Sequence, residues 1–184
     1  MKNIKNIHLV GIGGIGMSGI AEIMKNLGYS ITGSDQANNS NVKRLKKNGI
    51  KIFLGHKPSN ISNASLIVYS SAIPKNNCEI ESGRKKKIPI IGRSEMLREL
   101  MRMKKTITVS GSHGKTTTVS LIAAIFDYAN YDPTVINGGI INSYGSNTKL
   151  GESDLMLVET DESDGSFSFL PSFSGVITLS LIHI

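Results

Sequence analysis

Twice in this chain a short apolar run ends in a glycine-rich stretch that feeds a helical pattern: NIHLVGIGGIGMSGIAEIM at 6–24 and ITVSGSHGKTTTVSLIAAI at 107–125. No other feature restricts the fold as much. A strand that turns through glycine straight into a helix belongs to a parallel sheet with helical crossovers. Two such units in succession predict two α/β domains. Both turns also suit anions, because glycine lets the backbone approach, N–H groups converge, and a helix N-terminus adds partial positive charge.

The remaining pattern agrees. In the first half, strands are expected at 29–34, 50–54, 65–73 and 88–92, with a polar helix near 40–48. Met96, Leu97, Leu100, Met101 and Met103 have helical spacing within RSEMLRELMRM. The pattern then restarts with a strand at 104–111, an apolar helix at 118–129, and strands at 132–139, 154–160 and 175–180. At 184 residues the chain has room for two small domains, drawn here as 1–92 and 93–184. There is no internal repeat and no low-complexity tract.

In the second loop, Gly111, Ser112, His113, Gly114, Lys115, Thr116 and Thr117 form a phosphate cradle. Lys115 reaches terminal phosphates from the helix start, and the Thr116 hydroxyl is placed to ligate magnesium. The strict G-x-x-x-x-G-K-[ST] pattern is broken at Val109, where its first glycine would stand. His113 reads as a spacer acting through its backbone.

In the first loop, Gly11, Gly13 and Gly16 fit G-x-G-x-x-G, with Gly14 inside it. Asp35, at the end of the second strand, is placed to meet a ribose. This geometry holds any pyrophosphate, so NAD and other nucleotide diphosphates both remain open. The pairing of the loops is more informative. A dehydrogenase has no use for a lysine–threonine phosphate loop a hundred residues on, and a simple NTPase has none for a dinucleotide-type domain in front. Two phosphate sites point to ATP acting on a second, nucleotide-tagged molecule.

Six of the fourteen acidic residues fall within 152–164. Glu159, Asp161, Glu162 and Asp164 follow the apolar LMLV, at the strand end where ligands bind in parallel sheets. Glu159 with Thr116 suffices for Mg²⁺, which takes one or two carboxylates plus phosphate oxygens and water; the alternative is a solvated acidic loop. The net charge of +7 collects in lysine–arginine runs at 43–47, 84–87 and 102–105. No aromatic residues alternate with these runs to stack on bases, so no nucleic-acid partner is expected. No apolar run is long enough for a bilayer, and MKNIKNIHLVGIGG lacks the apolar stretch and small-residue cleavage site of a secretory signal, so no membrane partner is expected either. The single cysteine, Cys78, fits a reducing cytoplasm.

GIGGIGMSGIAE, TGSD, SSAI, GSHGKTTT, INGG and ETDESDGSF occur in an order and spacing that resembles the Mur ligases of peptidoglycan synthesis, over about residues 5–178. GIGGIGMSG together with G-[ST]-H-G-K-T is similar to the branch that joins L-alanine to UDP-N-acetylmuramate. The peptide-recycling branch of the same family is the alternative, and an NAD-dependent oxidoreductase is a more distant one. The resemblance implies a Rossmann-like domain that binds the UDP-sugar through Gly11, Gly13, Gly14, Gly16, Asp35, Ser70 and Ser71. It implies a P-loop-type ATP-binding domain from Gly111 to Thr117, with Mg²⁺ on Thr116 and Glu159. Lys115 and Glu159 are the implied catalytic residues, and the Asn137–Gly138–Gly139 turn is expected to line the cleft. The implied reaction passes through an acyl phosphate.

The likeness breaks at Leu179, where the family has asparagine followed by an acidic stretch closing on a metal-binding histidine. His183 is out of register by one, so no role passes to it. The last six residues, LSLIHI, are expected to be foreign sequence joined to an interrupted gene. The ATP domain is then expected to be truncated, the alanine-binding third domain missing, and the polypeptide inactive as a ligase.

Overall fold

The computed structural model describes residues 4–160 and 171–179. Two compact units divide the chain, Met1–Met96 and Leu97–Ile184.

The first unit carries β1 (Asn6–Val10), α1 (Ile15–Asn26), β2 (Ser30–Asp35), α2 (Ser40–Lys47), β3 (Lys51–Leu54), a 3₁₀ turn (Pro58–Ile61), β4 (Leu66–Tyr69), α3 (Cys78–Lys85) and β5 (Ile90–Gly92). Its sheet runs β3-β2-β1-β4-β5, and every neighbouring pair is parallel. This is the Rossmann-like order. The strand sequence reverses between β1 and β4, which opens a crevice at their carboxyl ends. Four of the five β1 residues are buried, as a strand covered on both faces requires. α1 packs Met17, Ile20, Ile23 and Met24 against the sheet.

Helix α3 has no counterpart in the sequence expectations. CEIESGRK offers one large apolar residue, Ile80, and so has no helical periodicity to read. Its signals are terminal: Asn77 caps it, accepting from Glu79 N at 2.9 Å, acids occupy the first turn and bases the last. Gly83 brings it close to the sheet, since a Cβ there would strike Ile67.

The second unit contains β6 (Lys105–Ser110), α5 (Lys115–Tyr128), β7 (Thr134–Ile141), β8 (Ser146–Lys149), β9 (Leu155–Glu159) and β10 (Ser174–Ile177); α4 (Arg93–Met101) runs across the division. The order is β10-β6-β9-β7-β8. β10, β6, β9 and β7 are parallel, and β8 pairs antiparallel with β7 at the edge. Val119 and Ala123 of α5 form its core with Val109, Val135, Ile141 and Leu157.

Asn137–Gly138–Gly139, expected as a turn, lies inside β7 as an irregularity: pairing with β8 shifts register between Ile136 and Ile141. Asn-Gly usually signals a hairpin turn. Here the chain continues as strand, and the turn comes later, where Tyr144 and Gly145 N donate back to Ile141 O. No described helix is long and apolar enough to cross a membrane.

Candidate functional site

Each glycine loop sits at the carboxyl edge of its own sheet, after β1 and after β6. The helices that follow differ from their neighbours. α2 and α3 are capped by Asn39 and Asn77, whose side chains accept from the first turn. α1 and α5 start at Gly14 and Gly114, with no side-chain cap and no acid in the first turn. Their first-turn N–H groups therefore lack the usual side-chain acceptor, as an anion-binding helix start requires.

In the first unit the crevice is a cleft of about 480 Å³ whose lining includes Gly11, Gly14, Asp35, His56, Ser70 and Asn77. The predicted glycines divide by task. Gly11 turns the chain at φ +78°, where a Cβ would stand 3.1 Å from Ser70 Cβ. Gly14 is exposed and faces the cleft with no close neighbour. Gly13 is buried: a Cβ would come within 2.7 Å of Val42 and 2.9 Å of Asp35 Oδ2. Gly16 makes room for Arg93, with Nη1 only 2.8 Å from where a Cβ would be.

Asp35 lines the cleft and also shapes it. Its Oδ2 accepts from Gly13 N at 2.8 Å, and its Oδ1 from Ala37 N at 2.9 Å. Each oxygen keeps lone-pair capacity for a hydroxyl. Ser70 is on the lining, whereas Ser71 is exposed outside it.

Sequence reasoning missed what lies beneath this cleft. The Glu79 carboxylate is fully buried. It accepts from Ser34 Oγ at 2.5 Å, Asn60 Nδ2 at 2.6 Å and Lys57 N at 3.2 Å, and His56 Nδ1 is 3.3 Å away. His8 Nε2, also buried, has no hydrogen-bond partner; Glu79 Oε2 stands 3.6 Å from it. Burial pushes the Glu79 carboxyl up, but His8, Ser34 and Asn60 outweigh burial and bring it down to about 2. A histidine in the middle of buried β1 was the one signal available in the sequence.

In the second unit Gly111 stands at φ +137° against Thr178, whose Oγ1 would collide with a Cβ. That hydroxyl reaches Ser110 O at 3.0 Å and His113 O at 2.6 Å, and Ser112 N donates to Leu179 O at 2.8 Å. The end of β10 thus holds the loop. Gly114 turns at φ +81°. Lys115 Nζ donates to Gly111 O at 2.6 Å, folded over its own loop. Thr117 and the His113 side chain are exposed.

Thr116 Oγ1 donates to Glu159 Oε2 at 2.9 Å, and Gly138 N donates to the same oxygen at 2.8 Å. The β7 irregularity explains its glycines here. A Cβ on Gly138 would sit 2.9 Å from Glu159 Oε1, and one on Gly139 would sit 3.2 Å from Thr116 Cγ2. Asn137 Oδ1, in the same stretch, is buried without a partner. The structure therefore brings Lys115, Thr116, Glu159 and Asn137–Gly139 to one place. Asp161, Glu162, Asp164 and His183 lie outside the described residues.

A profile described as "Mur ligase family, catalytic domain" matches residues 6–105. The UDP-N-acetylmuramate–L-alanine ligase of Brucella ovis is 54% identical over 176 residues, 96% of this chain and 37% of that protein. The chain thus spans little more than a third of the curated relatives it matches. The crystal structure of the Thermotoga maritima UDP-N-acetylmuramate–alanine ligase superimposes with a TM-score of 0.88 at 34% identity, covering 98% of this chain and 43% of that one. The Neisseria UDP-N-acetylmuramate:L-alanyl-γ-D-glutamyl-meso-diaminopimelate ligase gives 0.86 at 25% identity, covering 98% and 62%. With the profile spanning more than half of its residues, this chain belongs to the Mur ligase family.

Proposed function

We propose that this chain carries the nucleotide-sugar and ATP sites of an ATP-dependent ligase that joins L-alanine to the lactyl carboxylate of UDP-N-acetylmuramate in peptidoglycan synthesis. The carrying observation is that the chain holds both the Lys115–Thr116–Glu159 arrangement on one α/β unit and a separate capless-helix cleft on a Rossmann-like one. The alanine-adding assignment is favoured over the peptide-recycling one by 54% identity to the Brucella ovis ligase and 34% to the Thermotoga ligase, against 25% to the recycling-type Neisseria enzyme. The NAD-dependent alternative gives no role to the second loop.

In the first step the sugar's carboxylate oxygen attacks the ATP γ-phosphorus, the bond to the β–γ bridging oxygen breaks, and ADP leaves an acyl phosphate. The alanine amine then attacks the acyl carbon, loses a proton, and inorganic phosphate departs. An anion attacking a polyanion is the obstacle. Lys115 gives up Gly111 O for a phosphate oxygen and neutralises charge there, and the uncapped N–H groups of α5 do the same along the loop. The protein holds reactants in line without supplying a covalent nucleophile.

The donor set fits magnesium: a hydroxyl and a carboxylate oxygen 2.9 Å apart at a phosphate loop, with the unpartnered Asn137 Oδ1 in the adjoining strand. Thr116 and Glu159 would hold the ion, which supplies charge neutralisation on the phosphate oxygens when bound. Gly11, Gly14 and the α1 N-terminus take the pyrophosphate of the sugar nucleotide, and Asp35 the ribose. The reaction runs in the cytoplasm, where UDP-N-acetylmuramate and ATP are both present.

Separate ligand titrations test the assignment. UDP-N-acetylmuramate should protect β1 and β4 amides from exchange, and ATP with Mg²⁺ those of β6 and β9. At about 100 times Kd, each should add about 2.7 kcal/mol. Protection of the first unit by NAD but not by the UDP-sugar would overturn the reading.

A further inference from the structure

The contacts under the cleft fix a proton. Ser34 Oγ stands 2.5 Å from Glu79 Oε2, and His56 Nδ1 stands 3.0 Å from Ser34 Oγ and 3.3 Å from Glu79 Oε2. A serine hydroxyl has one proton to give, and an ionised carboxylate has none. Glu79 is ionised, because its contacts hold the carboxyl far below neutral pH against the pull of burial. The Ser34 proton therefore goes to Glu79, and Ser34 Oγ can only accept from the imidazole. Nδ1 must carry hydrogen. In the neutral ring, Nε2 is then a bare acceptor.

His56 lines the cleft with its side chain 8% exposed, so Nε2 is the polar atom left for the ring to offer a ligand. A bare nitrogen repels phosphate oxygens, lone pair against lone pair. It suits an N–H or O–H.

We propose that Glu79 and Ser34 lock His56 as its Nδ1–H tautomer so that Nε2 accepts a hydrogen bond from the uridine of the bound nucleotide, either its imide N3–H or a ribose hydroxyl. His56 is then a specificity-determining residue and Glu79 a positioning residue acting through it. Asn77 bonds Glu79 N and also lines the cleft, so one end of α3 supports two lining side chains. The buried charge costs stability that an apolar residue would not. A fixed tautomer at a recognition site gives that cost a use. This inference rests on the cleft being the nucleotide-sugar site.

The test uses the whole chain at about pH 8. Nitrogen NMR of the His56 ring should show a protonated Nδ1 and a bare Nε2. Calorimetry with UDP, N3-methyl-UDP and 2′-deoxy-UDP should show the analogue that lacks the donor binding about tenfold more weakly; because Asp35 also meets the ribose, the donor is the one whose penalty depends on Glu79. In Glu79→Gln, UDP should bind several-fold more weakly and the penalty on that analogue should largely vanish, with ATP affinity unchanged. Ser34→Ala gives the same readout should Glu79→Gln not fold. A protonated Nε2, equal binding of all three nucleotides, or a variant that keeps the full analogue penalty would overturn the proposal. A chain that binds no UDP at all would overturn the cleft assignment as well.

Discussion

The two glycine loops occupy equivalent places in their sheets but are held in different ways. The first is secured by residues within about thirty positions of it. Asp35 grips Gly13 N, Asn39 and Asn41 donate to Gly13 O at 3.1 and 2.9 Å, and Ser34 O accepts from Gly11 N and Ile12 N. The second is secured from far along the chain. Thr178 and Leu179 fasten its backbone, while Glu159 and Gly138 enclose Thr116. A loop held locally forms with its own βαβ neighbourhood. A loop held by β9 and β10 is complete only when strands forty to seventy residues later have paired.

The sharpest way to separate the two is Lys115→Ala in a full-length ligase carrying this sequence. Loss of a charge aimed at the transferring phosphoryl group should lower kcat by about 10²–10³ or more, read as phosphate release. UDP-sugar affinity should stay within about twofold, since nothing in the first loop's support involves Lys115. A matching fall in sugar affinity would break the contrast.

Acid separates the units next. Glu79 has a folded pKa of about 2 against an ordinary 4.5, so it binds its proton more weakly in the folded state. Its stabilisation is complete above the unfolded value and is lost as pH falls through 4.5 toward 2. At neutral pH it amounts to about 3 kcal/mol. Hydrogen exchange should show β1 and β4 losing protection in that window. Glu79→Gln should flatten this acid limb and leave β6 and β9 unaffected.

Glycine replacements sharpen the comparison at smaller scale. Gly111→Ala meets both a positive φ and Thr178, and should cost the second unit about 1–3 kcal/mol in denaturant unfolding. Gly14→Ala meets neither, at φ −61° with Gly11 O at an ordinary contact distance of 3.5 Å, and should change stability by less than about 0.5 kcal/mol. Its added methyl stands where the nucleotide approaches, so UDP-sugar binding should weaken even though stability does not.

These contrasts also mark what could be read from sequence. β1, α1, β6, α5 and both loops were legible because strand, glycine turn and helix are contiguous and each carries its own periodicity. Lys115, Thr116 and Glu159 were legible as residue types at a strand edge or helix start, and they do meet. Helix α3 was not, having one large apolar residue, and β8 was not, because SNTK is a polar edge strand. Glu79 was out of reach for a different reason. Its partners at positions 8, 34, 56, 57 and 60 come from three separate segments, and no local pattern records that they converge. The glycines at 138 and 139 were read as a turn because the residues they make room for, Glu159 and Thr116, are visible only once the strands have paired.

A partly exposed charge cluster tests whether charge in the second unit behaves like the buried carboxylate of the first. Lys149 Nζ lies 2.8 Å from Asp127 and 2.7 Å from Asp132, and Tyr144 donates to Asp127 at 2.6 Å, fastening the end of α5 to the β8 edge. Burial draws the Lys149 pKa down, but the two carboxylates more than offset it and hold the ammonium above its usual range; burial together with Asp127 pushes Tyr144 up to about 12. Lys149 is 25% exposed, so water and salt screen what Glu79 feels in full. Lys149→Met should therefore cost about 1 kcal/mol, measured by denaturant unfolding and followed through β8 amide exchange. Raising the salt should shrink that cost, because the pair lies within reach of counterions, while the Glu79→Gln penalty should hardly move. If both penalties respond to salt alike, Glu79 is less shielded than its packing implies, and the proton assignment on His56 weakens with it.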